Sequence, residues 1–178
     1  MSAAIIQAIG FAGLLFAVLS FQNKQRKNIL LCQIIGSIFY IFHFLLLGAI
    51  TGSIMNLIGA VRSYVFYNRE KKWASKLIWL YIFLFLVIIG ALFTWKNNFS
   101  ILPMIAMCVS TVSFWMKNPK YIRLIMLLSP PCWLTYNIVS GSIPGVMTEI
   151  FVFISLITGI IRFDIIKPSD KSINESIF

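Results

Sequence analysis

The chain is built around the residues His43-Phe-Leu-Leu-Leu-Gly-Ala-Ile-Thr-Gly-Ser-Ile-Met-Asn-Leu-Ile-Gly-Ala-Val-Arg62. Gly48 and Gly52 interrupt an apolar run, which predicts two helices joined by a tight turn. The same construction returns 93 residues later as Tyr136-Asn-Ile-Val-Ser-Gly-Ser-Ile-Pro-Gly-Val-Met-Thr-Glu149. Two further glycines occupy the matching turn positions there, and Glu149 stands where the first copy has Asn56. The chain therefore contains two copies of one helix-turn-helix unit.

The composition is that of an integral membrane protein. Sixty per cent of the 178 residues are hydrophobic, 11% are charged, and the mean hydropathy is +0.91, more apolar surface than a soluble core of this size can bury. A membrane-spanning helix needs about 17 to 25 apolar residues. Seven segments meet this pattern: residues 3–21, 29–47, 50–67, 77–95, 101–116, 121–137 and 143–163.

The basic residues predict the orientation of these segments. Thirteen lie in the loops after the first, third and fifth segments and in the tail, whereas the other side has only Lys96. Positive residues concentrate on the cytoplasmic side, so we expect an outside N-terminus and a cytoplasmic C-terminus. Because the charges are dispersed among short loops, the net charge of +10 indicates topology rather than nucleic-acid binding. The thirteen are Lys24, Arg26, Lys27, Arg69, Lys71, Lys72, Lys76, Lys117, Lys120, Arg123, Arg162, Lys167 and Lys171.

An ungapped alignment defines the repeat. Residues 20–69 and 113–162 share ten identities in fifty positions, among them both glycine pairs. We therefore predict an all-α membrane fold of seven transmembrane helices. Two parallel three-helix bundles (residues 3–67 and 101–163) are joined by a linker helix (77–95), and form a single domain 1–163 with a short cytoplasmic tail 164–178. Pro103 and the Pro130-Pro131 pair are expected to loosen the fifth and sixth helices.

Glu149 is the only acidic residue inside a predicted span. It lies near the middle of the seventh helix, where a charge costs roughly 2.5–3.5 kcal/mol on insertion scales and must face a cavity or a partner, or be protonated. One interpretation is a solute or proton site. The other is a structural hydrogen bond from a protonated carboxyl to a neighbouring helix.

Asn56 is the one amide and Arg62 the one cation of the third helix. The Asn56 amide suits a polar solute, because it both donates and accepts hydrogen bonds, but it also suits contacts between helices. Arg62, six residues further on, is expected to extend to the inner interface, to contact an anion, or to pair with Glu149.

Aromatic and imidazole groups complete the set of candidates. His43 and its repeat partner Tyr136 lie near the outer end, where His43 fits either a pH-sensitive gate or an interfacial hydrogen bond. Tyr40 and its repeat partner Trp133 either stack on a solute ring or pack helices. With one histidine, and with Cys32, Cys108 and Cys132 lacking ligand spacing, no metal site is predicted.

The architecture resembles the SWEET sugar transporters and their PQ-loop relatives, which have the same three-plus-one-plus-three plan. In SWEET transporters asparagines on the third and seventh helices face the central cavity, so the resemblance implies that Asn56 and Glu149 do so here. More narrowly, the chain is similar to the bacterial inner-membrane YgjV family, which implies a multi-pass location in that membrane. This similarity is carried by the following residues: His43-Phe44, Leu47-Gly48, Asn56 with Arg62, Leu102-Pro103, Ser110-Thr111, Cys132-Trp133, Asn137, Gly141-Ser142-Ile143, Glu149 and Arg162-Phe163.

The predicted function is transport of a small solute, as a facilitator or a proton-coupled carrier. Two alternatives stay open: a non-transporting receptor or assembly protein and, with less support, an intramembrane enzyme with His43 and Ser53 or Ser142 as a dyad. We predict no enzyme activity and no cofactor, and as partners a solute and the bilayer but no nucleic acid; a homo-oligomer stays open. The candidate solute site comprises Asn56, Glu149, Trp133, Tyr40 and Asn137, and the gating or proton-linked residues are His43, Glu149 and Arg62.

Overall fold

All regular secondary structure of the described residues is helical. The computed structural model describes residues 2–22, 26–116 and 118–166, and these contain no β-strand. All seven predicted segments are helical, with ends within three residues of those predicted. The helices are α1 (Ala3–Gln22), α2 (Arg26–Leu46), α3 (Ile50–Tyr67), α4 (Ile78–Phe93), α5 (Ile101–Trp115), α6 (Pro119–Met126), α7 (Ser129–Val139) and α8 (Ile143–Ile160).

The outer surface suits a bilayer. Among the described residues, four helical segments are long and apolar enough to cross a membrane, and Ile78–Phe93 is a shorter apolar helix. Large apolar side chains are exposed on the outside, such as Phe93 at 85% and Phe85 at 62%. Such a surface is stable against lipid and not against water. The four long segments are Ala3–Ser20, Lys27–Leu46, Asn98–Trp115 and Lys120–Val139.

The sixth predicted segment is divided into α6 and α7. The break falls at residues 127–128, and Pro130 and Pro131 occupy the first turn of α7. A proline lacks the N–H that would bond back to the previous turn, so the helix restarts here and the predicted weakening of this segment is confirmed. The same expectation for Pro103 is wrong, because it is the third residue of α5, where no intrahelical N–H bond is lost.

In the first half of the molecule (α1–α3) and in the second half (α5–α8), a helix packs against two others of the same half. α2 contacts both α1 and α3, and α7 contacts both α5 and α8. Between the halves, α1 packs on α8 and α3 packs on α5. α4 lies outside, against α3 and α5.

The turns of the two copies have the same backbone. Gly48 has a φ of 70° and Gly141 a φ of 69°, the left-handed conformation that favours glycine after a helix. The hydrogen bonds recur as well: Ala49 N–H donates to the Phe44 carbonyl, and Ser142 N–H donates to the Asn137 carbonyl. The predicted helix-turn-helix is therefore present in both places with one geometry.

A serine bond is also repeated at the opposite end of the helices. Ser20 Oγ donates to the carbonyl of Ile29 over 3.2 Å, and Ser113 Oγ donates to the carbonyl of Ile122 over 2.8 Å. Both serines and both acceptors are 93 positions apart.

The end of the chain differs from the prediction. Residues Ile161–Ile166 continue α8 as a π-helix, and Asp164 forms an ion pair with Arg123. Asp164 was placed in a polar tail, but the ion pair ties it to α6 and extends the folded body to residue 166. Residues 167–178 lie outside the described residues, as do Lys24 and Lys117 among the basic residues used for the topology.

Candidate functional site

A cavity of about 110 Å³ lies between the two halves of the molecule. Its walls come from α1, α2 and α3 on one side and from α5, α6, α7 and α8 on the other. It is smaller than the roughly 300–1,000 Å³ of ordinary ligand pockets and has room for about four water molecules. We call it the central cavity. Five of the predicted residues line it: Tyr40, Asn56, Arg62, Trp133 and Glu149.

The carboxyl group of Glu149 has no bonding partner among the described residues. Among the described residues it makes no hydrogen bond and no ion pair. Asn56, its repeat partner, donates to the Gly52 carbonyl of its own helix over 2.9 Å. At about 1.5 Å rise per residue, each lies about 9 Å along its helix from the first residue. The predicted structural bond of Glu149 to a neighbouring helix is thus not formed.

Arg62 is buried across the cavity, with 4% of its surface exposed. Its Nη1 donates to Ser110 Oγ and to Thr111 Oγ1, each over 2.8 Å, and its Cζ lies 5.1 Å from the centre of the Phe114 ring. Two of the three expectations for this residue, extension to the interface and pairing with Glu149, are wrong, and contact with an anion stays a prediction. The reason is that α5 presents two hydroxyl groups within reach of the guanidinium.

His43 braces the two halves instead of lining the cavity. It is fully buried, with Nδ1 2.8 Å from the Ile6 carbonyl and Nε2 2.8 Å from Ser142 Oγ. A carbonyl only accepts, so Nδ1 carries the proton and Nε2 accepts from the serine hydroxyl. The hydrogen-bonding interpretation of His43 describes this geometry, and gating stays a prediction.

The serine–histidine contact has the spacing of a catalytic dyad but not the access of one. Ser142 is 1% exposed and its Oγ also accepts from the Gly145 N–H, which makes it the N-cap of α8. Neither His43 nor Ser142 lines the central cavity. The contact therefore stabilises a helix end, and Ser53 donates to the Ile41 carbonyl, away from His43.

Asn137 also lies outside the cavity. It is 2% exposed, its Oδ1 has no hydrogen-bond partner, and it packs against Gly145. Only a glycine at position 145 leaves room for it. The structure does not bring Asn137 together with the other predicted solute-binding residues.

A second, larger pocket of about 450 Å³ opens at the ends of the helices. It is lined by the turn between α2 and α3, the loop between α4 and α5, and the end of α7, including Lys96, Thr51 and Tyr136. We call it the vestibule. By the topology predicted from charge, it faces the outside.

An aromatic layer separates the vestibule from the central cavity. Phe44 is 2% exposed and stacks between Tyr40 and Trp133, with ring centroids 5.7 and 6.0 Å away. Tyr136 lies 6.0 Å from Phe44 and forms the vestibule side, whereas Tyr40 and Trp133 form the cavity side. The packing interpretation of Tyr40 and Trp133 is confirmed, and they also line the site.

Several residues of the site were not selected from the sequence. Gln33 and Ser37 are two of them: they lie seven and three residues before the predicted Tyr40 on α2, so the three form a polar stripe on one face, and all three line the cavity. This spacing was a usable signal. Thr148, which forms a 2.6 Å hydrogen bond with the Tyr40 hydroxyl, and the two hydroxyls that hold Arg62 needed the fold.

Residues 4–166 match the family Imp-YgjV, described as bacterial inner membrane protein. The chain belongs to this family. It is also 25% identical over 161 residues to the inner membrane protein YgjV of Escherichia coli K12, covering 89% of this chain and 84% of that protein. The protein is therefore a multi-pass protein of the bacterial inner membrane. No solved structure matches it.

Family membership establishes the location of the protein and not its substrate. Neither the description of the Imp-YgjV family nor that of the Escherichia coli protein names a substrate. The chemistry has to be argued from the central cavity, where an unpartnered carboxylate and a buried guanidinium share one small space.

Proposed function

We propose that this member of the Imp-YgjV family is a carrier for a small polar solute, which binds in the central cavity. The observation that carries the proposal is Glu149, whose carboxyl group faces a cavity inside an apolar body and has no partner in the described residues. Ionisable groups inside a membrane mark solute or ion pathways by default, because their insertion is costly. A purely structural role would give this carboxylate a bonding partner.

The proposal includes the three-plus-one-plus-three architecture, with the N-terminus outside. The packing of α1 on α8 and of α3 on α5 supports it. In the repeat, α1 corresponds to α5 and α3 corresponds to α8, so the two contacts are equivalent. The position of α4 outside both halves supports a linker role. A cavity walled by both repeats then lies where parallel-repeat carriers bind their solutes, between two units able to rock.

The aromatic layer supports alternating access. It closes the central cavity toward the vestibule, while the cavity extends away from the layer to Cys32 and Ser129. A solute passing between the vestibule and the cavity has to displace Phe44 or move one repeat relative to the other. The layer is held by ring packing and by hydrogen bonds of the Tyr40 hydroxyl with Thr148 and the Pro144 carbonyl and of the Tyr136 hydroxyl with the Gly52 N–H, contacts weak enough to break in a transport cycle.

The test is the thermal stability of the detergent-purified protein against a panel of small metabolites, measured at two pH values. The variant is Glu149→Gln, and the matched control is Glu70→Gln, which removes an exposed carboxyl paired with Lys27. A solute that binds the folded state raises the melting temperature. We expect at least one compound to stabilise the wild type and Glu70→Gln but not Glu149→Gln, and the same compound to be transported into proteoliposomes.

Two negative results together would contradict the carrier function. If no compound stabilises the wild type and Glu149→Gln is as stable as the wild type at both pH values, then the carboxylate has no solute role. A receptor or assembly function would then take precedence over transport.

A further inference from the structure

Arg62 retains hydrogen-bonding capacity after its protein contacts are counted. All hydrogen bonds that the Arg62 guanidinium makes with described residues are donated by Nη1, to Ser110 Oγ, Thr111 Oγ1 and the Met107 carbonyl. Nε is buried without a partner, and Nη2 donates to no described residue. Gly59 keeps the space beside Nη2 open, since an added Cβ would lie 3.9 Å from it. The guanidinium is thus fixed in place by neutral hydroxyls and a carbonyl, and it pairs with no acidic side chain of the described residues.

The central cavity therefore contains one cation and one carboxylate that do not touch. The described residues that line it include no other Lys, Arg, Asp or Glu. By helix rise, Arg62 lies about 9 Å further along its helix than Asn56, the repeat partner of Glu149. Arginine side chains on a helix point back toward its N-terminus, which brings the guanidinium toward the level of Asn56.

Charge balance then restricts the solute. With Glu149 ionised, its carboxylate and the Arg62 guanidinium together are neutral, so a solute with a net charge would leave an uncompensated charge within the membrane, which is costly. An uncharged solute would leave both ionic groups without a counter-charge. A solute with one anionic and one cationic group keeps the cavity neutral and pairs both.

We propose that the solute is a small zwitterion of the amino-acid type, whose carboxylate binds Arg62 and whose ammonium binds Glu149. This inference rests on the carrier function proposed above. The planar guanidinium suits a carboxylate because it presents parallel N–H groups, and an ammonium suits an acceptor-only carboxylate. Asn56, the repeat partner of Glu149, adds an amide oxygen as a second acceptor.

The size of the cavity favours the smallest members of this class. A space of about 110 Å³ leaves little volume for a side chain next to an ammonium and a carboxylate. Trp133, Tyr40 and Phe114 form rigid walls around it. Glycine and alanine fit this description better than amino acids with aromatic side chains.

The experiment compares L-alanine with two analogues that each lack one charge, propionate and ethylamine, and with uncharged propionamide. Binding to the purified full-length protein is measured by calorimetry and by the melting temperature at millimolar ligand. We expect alanine to bind at least tenfold more tightly than each analogue, since a lost charged hydrogen bond is worth about one to two decades in affinity. This arm uses only the wild type and does not depend on a variant folding.

The variants assign the two ends of the solute. Glu149→Gln should weaken alanine at least tenfold and bring its affinity close to that of propionate. Arg62→Gln should bring it close to that of ethylamine, and Arg62→Lys, which keeps the charge but loses the fork, should lie between. Arg162→Gln is the matched control, because Arg162 is exposed on the π-helical extension that follows α8.

The outcomes separate this inference from the carrier function. Equal or tighter binding of propionate, ethylamine or propionamide would overturn the zwitterion while the carrier site stands, provided that Glu149→Gln abolishes that binding. Alanine binding that survives Glu149→Gln would overturn the assigned orientation. Binding of no compound to the wild type, with an unaffected Glu149→Gln variant, would overturn both proposals.

Discussion

The two repeats meet the same structural need in different ways at the start of α3 and of α8. The first turn of a helix leaves backbone N–H groups without partners. In the second repeat Ser142 accepts from the Gly145 N–H, a local cap. The first repeat has Ala49 at the matching position, and the Gly52 N–H donates instead to the Tyr136 hydroxyl of the other repeat over 2.9 Å.

This difference shows how the halves are joined. Tyr136 of the second repeat satisfies the turn of the first, and its repeat partner His43 hydrogen-bonds to the cap of the second, Ser142. Equivalent hydrogen bonds therefore cross the interface between the repeats twice, one made by a tyrosine and the other by a histidine. The backbone of the turns is conserved between the copies, while the side chains that cross between them have diverged.

The largest loss of stability among the turn substitutions is expected at Gly145. A Cβ there would lie 2.5 Å from Asn137 Oδ1 and from Ser142 Oγ, so Gly145→Ala should destabilise the protein by roughly 3 kcal/mol, at the upper end for overpacking. Gly52→Ala, its repeat counterpart, meets the Tyr136 ring at 2.9 Å and should cost less. The measurement is the free energy of unfolding in mixed micelles.

The control for this prediction is Gly59→Ala. The nearest atom to a Cβ there is the flexible end of Met107 at 3.3 Å, so a small effect is expected. A Gly145→Ala variant as stable as Gly59→Ala would show that the turn of the second repeat is not packed as described.

A smaller effect is expected when the cross-repeat cap is removed. Tyr136→Phe leaves the Gly52 N–H without a partner, which should cost about 1–3 kcal/mol. Adding Ala49→Ser copies the local cap of the second repeat and should recover about 1 kcal/mol. Unfolding of the single and double variants measures both steps.

The rescue is the informative part of that experiment. Ala49→Ser in the wild-type background should give little gain, because Tyr136 already satisfies the N–H. If the double variant is no more stable than Tyr136→Phe, the two repeats do not use interchangeable caps.

The smallest effect is expected where the repeats are alike. Ser20→Ala and Ser113→Ala each remove one hydrogen bond to a loop-side carbonyl, so each should cost about 0.5–1.5 kcal/mol, and the two costs should agree. Ser20 also accepts from Gln33 Nε2, so Gln33→Ala serves as the check on any excess at Ser20. A large effect at only one serine would argue against equivalent roles.

Most of the helical framework was predictable from the sequence, since each segment is set by local properties. Apolar length fixed seven helical segments, and the glycine pairs predicted two turns whose Gly48 and Gly141 have nearly the same φ. The division of α6 from α7 followed from Pro130 and Pro131, whereas Pro103 was misjudged because its effect depends on its position within the helix. Glu149 stood out because an acidic group in an apolar span has few explanations.

The candidate site was only partly predictable, because partners distant in sequence define it. Arg62 was expected at the membrane interface, yet hydroxyls on α5, nearly fifty residues further on, hold it in the cavity. His43 and Asn137 were placed at the site, but packing against Ser142 and Gly145 takes them away from it.

The sequence by itself determined that the protein lies in a membrane, where its helical segments begin and end to within three residues, and which acidic residue has to be accounted for. These properties depend on hydrophobicity and backbone preference, which each residue carries with it. Only the tertiary structure decided which polar groups share the central cavity and which brace the repeats. That choice depends on how helices from two halves approach one another, and the position of a guanidinium or an imidazole is set by the groups it meets there.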